Sequence, residues 1–174
     1  MEEQVRFILT IPLFVALCLG LPQWANAQQS RDVILGGYNY EPAVRTSGSG
    51  MVTVTLREDS LYVKGDFSNL TSSYRGAYIM VGKKGQTGNM LFRLNALPNE
   101  EKTGGVFNTE KNTFALNDAQ KQLLENGQFY IAITSWDHPH GELRGQIPPM
   151  KAKSARQRPE VIPAIPPPEL PARN

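Results

Sequence analysis

The strongest constraint in this chain is alternation in short bursts. Val52, Val54 and Leu56 alternate with Thr53, Thr55 and Arg57, and Leu61, Val63 and Gly65 alternate with Tyr62, Lys64 and Asp66. A two-residue period sends alternate side chains to opposite faces of an extended chain, so both runs predict half-buried β-strands. The polar stretch Arg57-Glu58-Asp59-Ser60 between them has hairpin length, which makes the two strands antiparallel neighbours. Further short runs at 78–81, 90–94, 106–108, 113–116, 129–134 and 142–147 are punctuated by Gly, Asn and Asp. Seven to eight short strands at this spacing predict an all-β fold, an immunoglobulin-like antiparallel β-sandwich or a barrel.

One segment breaks the two-residue rhythm. Asn117 can cap a first turn, Asp118 suits the positive end of a helix dipole, Leu116, Leu123 and Leu124 share a side, and Gly127 supplies a left-handed stop. One short helix packed on the sheet is expected there. Gly82-Lys83-Lys84-Gly85 has the composition of a phosphate cradle but lacks the strand-loop-helix context, and reads as a lysine-bearing hairpin turn.

Composition divides the 174 residues into three parts. Residues 1–27 carry an apolar run, Phe7 to Leu21, ending at Ala25-Asn26-Ala27, the small-x-small pattern of a signal-peptidase site. The run is short for a span of about 20 residues, so a cleaved export signal is expected, with no membrane span afterwards. Residues 28–147 hold twelve basic and twelve acidic residues, and residues 148–174 hold five basic, two acidic and eight of the 13 prolines. The basic excess therefore sits in the tail, and a charge-balanced core excludes a nucleic-acid domain, which needs a basic face. Cys18, the sole cysteine, lies in the leading segment. A disulfide scaffold, a thiolate metal site and a cysteine nucleophile are thereby excluded from the rest.

The last two strand candidates carry a motif. Phe129 to Ser135 is followed by His138-Pro139-His140 and then by Gly141-Glu142-Leu143-Arg144-Gly145-Gln146. This resembles the end of a CHRD domain, the module named after chordin and found also in secreted microbial proteins, whose signature is G-E-[IL]-R-G-Q. Leu35, Gly37, Asn39, Pro42, Val44 and Thr46 are similar to the family's opening pattern, Ala77 to Met80 with Gly88 to its A-H-I-H hairpin, and Leu124, Gly127 and Tyr130 to its L-x-x-G-x-x-Y stretch. The resemblance implies a β-sandwich over roughly residues 32–147. It also implies an acidic residue where Tyr40 stands and histidines where Tyr78, Met80 and Thr134 stand. Tyr78, Met80 and Thr134 cannot build a first-row metal site, so chemistry tied to those histidines is absent here.

Four candidate sites follow. His138, His140 and Glu142, beside Asp137, place potential Zn²⁺ or Cu²⁺ ligands within six residues, against the alternative of a solvated loop. Glu142, Arg144 and Gln146 alternate with Leu143, Gly145 and Ile147, so their side chains share a face. Glu142 and Arg144 could serve as acid-base group and anion clamp, but no nucleophile or second carboxylate accompanies them, and strand-pinning by the Arg144 fork is the expected role. Trp136 and the tyrosines at 38, 40, 74 and 78 could form an aromatic platform or pack in the core. In the tail, Pro163 with Pro166 and Pro168 with Pro171 have PxxP spacing, which suits an extended ligand for an aromatic groove or a spacer.

These features predict a secreted or periplasmic, non-enzymatic binding module. It needs no cofactor, recognises an extracellular or envelope protein or glycan, and binds no nucleic acid. A metal-binding or redox protein using His138, His140 and Glu142 is the alternative, and a structural envelope component is a third.

Overall fold

The computed structural model describes residues 28–151. The export signal expected at residues 1–27 and the tail prolines Pro163, Pro166, Pro168 and Pro171 lie outside that range. Ten strands, one α-helix and two single-turn 3₁₀ helices, Gly37–Asn39 and Thr109–Lys111, make up the described chain: β1 Gln29–Gly36, β2 Ser49–Arg57, β3 Ser60–Ser68, β4 Tyr74–Val81, β5 Asn89–Leu94, β6 Ala96–Pro98, β7 Gly105–Phe107, β8 Thr113–Ala115, α1 Asp118–Glu125, β9 Phe129–Ser135 and β10 Leu143–Gln146. No helix among the described residues is long and apolar enough to cross a membrane.

All strands pair antiparallel in one sheet, in the order β5-β4-β9-β10-β1-β2-β3-β7-β6, with β8 also on β3. The all-β expectation holds, in its barrel-like form. Two strands join the eight read from the sequence. β1 begins Gln-Ser-Arg-Asp with no apolar residue, and then Val33, Ile34 and Leu35 run together, so its period is masked. β6 has only three residues and ends on Pro98, which an edge strand tolerates because its N–H would bond nothing.

Val33, Leu35, Val52, Val54, Leu61, Val63, Ile79, Ile131, Ile133 and Leu143 meet inside the curled sheet, each at most 2% exposed. All seven residues of β9 are buried, because its outer face is covered as well. That double burial accounts for its nearly continuous apolar sequence.

β5 and β6 occupy opposite ends of the strand order yet are joined by Asn95 alone. The sheet is therefore closed covalently at this corner, and a side chain replaces the missing ladder. Asn112, fully buried, accepts from the Asn95 N–H at 2.7 Å and donates to the Asn95 carbonyl at 3.0 Å and the Asn108 carbonyl at 2.9 Å. Its amide thus pairs with the corner as a neighbouring peptide group would.

Helix α1 seals one end of the barrel. Asn117 and Gln120 form a reciprocal capping box, Gly127 has φ of 65° beyond the last turn, and Leu124 is fully buried. Lys121 holds the helix to the β2–β3 turn through Asp59 at 2.9 Å and to its own Asp118 at 2.7 Å. The chain then runs past Ile147 without leaving the fold. Met150 is 0% exposed, and the Lys151 N–H donates to Gln29 Oε1 at 3.1 Å. Burial of Met150 thus ties residues 148–151 to the same end as α1.

Loops close the opposite end. The Leu70 N–H donates to the Thr103 carbonyl, the Tyr74 N–H to Lys102, the Trp136 N–H to Ser73, and the Ser47 hydroxyl to Asn69.

Candidate functional site

The signature strand β10 is where sequence and geometry first meet. Glu142, Arg144 and Gln146 point outward, but the segment 37–48 and the turn 82–88 lie over them. Glu142 is 0% exposed, and its Oε1 accepts from the Thr46 hydroxyl at 2.5 Å and the Thr71 N–H at 2.7 Å. It therefore joins two end loops to the start of β10. Burial pushes this carboxyl up, but bonds from Thr46 and Thr71 and the approach of the Ser135 hydroxyl outweigh it and hold the group below the usual carboxylate range.

Arg144, 2% exposed, donates from Nη2 to the Lys83 carbonyl at 2.9 Å, and its guanidinium stacks 3.6 Å from the Tyr130 ring centre and 5.7 Å from that of Tyr40. It makes no ion pair among the described residues. Gln146 Nε2 is shared among the carbonyls of Gly82 at 3.1 Å, Gly127 at 2.7 Å and Phe129 at 3.0 Å. A Cβ on Gly145 would press into Val33 and Leu35, so glycine lets β1 and β10 approach. Each residue of the Glu142, Arg144, Gly145 and Gln146 set fastens the fold, Glu142 through Oε1 alone, since its buried Oε2 has no hydrogen-bond partner among the described residues.

The residues proposed for metal binding are not brought together. Among the described residues no group of three His, Cys, Asp or Glu converges on a point. Gly141, at φ of 135°, turns the chain so that Glu142 lies beneath the loops of Thr46 and Thr71 while His140 stays exposed and His138 is half-buried. A Cβ at Gly141 would collide with the Tyr40 hydroxyl, so glycine is required there on two counts. Adjacency in sequence does not become convergence because this turn separates the side chains.

The four positions where the family resemblance implies other residues do cluster on the outer face of β4, β9 and the neighbouring loop. Tyr78 pairs with Ala132, which pairs with Arg144, and Met80 pairs with Tyr130. Thr134 donates to the Gly76 carbonyl at 3.1 Å. Tyr40 packs at Gly141 and over Arg144, and burial together with Tyr130 pushes its phenol up to about 12 against the pull of Arg144. Burial likewise raises Tyr74 to about 12, and a phenol in that range is neutral at physiological pH. The phenols of Tyr40 and Tyr74 therefore carry no charge beside Arg144 and Arg93. Of the proposed aromatic platform only Tyr38, 67% exposed, and Trp136, 66% exposed beside Arg75, face solvent.

A different surface emerges from the register. Ile34 pairs with Met51, Met51 with Asp66, Asp66 with Val106 and Val106 with Leu97, which makes one row across β1, β2, β3, β7 and β6. The four hydrophobic members are 63%, 55%, 45% and 43% exposed in the order Ile34, Met51, Val106, Leu97. Tyr38 lies over Gly36, two residues along β1 from Ile34 on the same face, and extends the row. Together they form an exposed apolar strip on either side of exposed Asp66, and apolar residues grouped on a surface in this way are often functional. Sequence reasoning missed this row. Its signal is an apolar residue on the outward face of β1, β2, β7 and β6, with Asp66 in that place on β3, and the residues line up only when the register aligns five strands.

The sequence profile of the CHRD domain matches residues 32–147. The chain belongs to the CHRD domain family. The match spans the strands from β1 to β10, so the CHRD signature and the fastening role of its residues coincide on β10. No curated protein and no solved structure matches the chain.

Proposed function

We propose that this CHRD domain is an exported, non-catalytic binding module of the cell envelope or extracellular space, and that a protein partner docks on the outer face of β1, β2, β3, β7 and β6. The row Ile34, Met51, Val106 and Leu97 carries this reading. The pairs Ile34 with Met51 and Val106 with Leu97, on either side of Asp66, lose water only when another apolar surface covers them, at about 25 cal/mol per Å². A glycan would call for aromatic stacking platforms, and the row is aliphatic with one tyrosine at its end. The site residues support the non-catalytic part, since Arg144 and Gln146 are bonded to protein groups and Glu142, held through Oε1, is closed off from solvent.

The experiment is affinity capture from the organism's own envelope and extracellular fractions, using the wild-type chain beside Met51→Asp and Met90→Asp. Met90 is 60% exposed on β5, away from the row. A specific partner should be lost at least tenfold with Met51→Asp and retained with Met90→Asp. Equal retention by both variants would remove the row as the binding face.

A further inference from the structure

We infer that the proline-rich tail of this chain, residues 152–174, docks back across the outer face of β3 and β7 and covers the Val106 end of the apolar row. Its point of departure is fixed, because buried Met150 and the Lys151 to Gln29 bond hold the last described residues at the first residue of β1. A groove of about 170 Å³ opens at that place, lined by Gln28, Ser30, Arg57, Tyr62, Lys64 and Thr109 among others, its two cations leaving the acidic partners of the tail to the far end of the path. Lys64 and Thr109 also line a larger groove of about 510 Å³, which continues to Asp66, Val106 and Glu110. The two grooves form one path from the tail's exit to the exposed row.

Length and chemistry both fit. From Tyr62 to Asp66 the path follows four residues of β3, about 13 Å at ~3.3 Å per residue. Residues 152–174 can reach up to about 70 Å at ~3.1 Å per residue. Lys153, Arg156 and Arg158 come first, two, five and seven residues beyond Lys151, within reach of Asp66 and Glu110. Ile162 and Ile165 follow, and they supply the apolar side chains that Val106 and Leu97 lack. The face of a paired sheet has no free backbone groups to offer, so an occupant there must bind through side chains. A segment rich in proline, with few N–H groups of its own, loses little in doing so.

The consequence for regulation rests on the reading of the row as a partner site: a docked tail and a protein partner would exclude one another. The position of the tail itself is independent of any partner and can be tested alone. The full chain carrying Cys18→Ser offers a cysteine-free background. Into it are placed Val106→Cys with Ile162→Cys, or, as control, Met90→Cys with Ile162→Cys, and each is oxidised with a glutathione disulfide buffer at low protein concentration. Val106 and Met90 are both exposed, so both pairs should fold. A docked tail gives an intramolecular disulfide at Val106 at least about tenfold faster than at Met90, through its higher effective concentration. Equal rates would show a tail that visits all surfaces alike and overturn the inference. Predominant disulfide-linked dimers at Val106 would overturn it too, by showing that a second copy occupies the face. Partner capture that fails with normal cross-linking would sink the binding reading and leave the docked tail standing.

Discussion

Replacing Asn112 tests whether the barrel is held closed by a side chain. The residue is 0% exposed and makes three hydrogen bonds to backbone groups, two to Asn95 and one to Asn108. Each such bond contributes about 1 kcal/mol net, and a buried group left unpaired costs ~1–3 kcal/mol. Asn95 is exposed, so water can take over part of its bonding when Asn112 is cut back. Asn112→Ala should therefore cost about 3 kcal/mol, a large share of the 5–15 kcal/mol typical of a domain, and lower Tm by roughly 10–15 °C. Asn112→Asp should cost more than Asn112→Ala at neutral pH. It keeps one acceptor for the Asn95 N–H but sets a carboxylate against the carbonyls of Asn95 and Asn108 that now receive a donated hydrogen. Urea unfolding of the three chains, followed by tryptophan fluorescence, reads both differences at constant m. A loss under about 1 kcal/mol for alanine, or an aspartate variant as stable as the alanine one, would refute the closure argument.

Glu142 gives a pH signature. Its folded pKa lies below the unfolded value of about 4.3, so its stabilisation is fully present above that value and is lost as pH falls through the folded one. The stability gap between wild type and Glu142→Gln should be widest above pH ~5 and close progressively in acid, as followed by thermal melts across pH; a gap independent of pH would contradict it. Arg144→Lys should lose about 2–4 kcal/mol in denaturant titrations, because an ammonium cannot stack on Tyr130 at 3.6 Å and reach the Lys83 carbonyl as a planar fork does. Full stability with lysine would show that charge alone matters there. Met150→Ala should cost ~2–4 kcal/mol by opening a cavity under α1, measured by calorimetry, and an unchanged melt would return residues 148–151 to the tail.

Much of the fold is legible because it is written in local periods. β2, β3 and their hairpin follow from alternation and a polar turn, and the register of Arg57 with Ser60 matches it. The helix follows from its cap and stop, and Asn117, Gln120 and Gly127 take those places. β1 is harder, since Ile34 occupies the polar phase for a reason that lies on other strands, where Met51 and Val106 do the same. Asn112 is harder still. A single asparagine in a loop carries no periodic signal, and its role exists only where β5 and β6 meet. The His138, His140 and Glu142 set shows the opposite failure, where closeness in sequence suggested a site that one positive-φ glycine takes apart. Glu142, Arg144 and Gln146 share a face as their spacing requires, but only the covering segments reveal that this face is closed.

The bond between Lys151 and Gln29 has a topological meaning. With the described chain's first strand and last residues side by side, the polypeptide traces almost a closed circuit, and the position of its opening is nearly arbitrary. A short linker from Lys151 to Gln29 and a new opening between Glu58 and Asp59, in the exposed β2–β3 turn, would give a circular permutant with every strand pairing retained. The same adjacency means that residues added before Gln29 and after Lys151 share one anchorage point. The loops bearing Tyr38 and Trp136 then stand at the far pole of the barrel, the end held farthest from whatever the chain is fixed to.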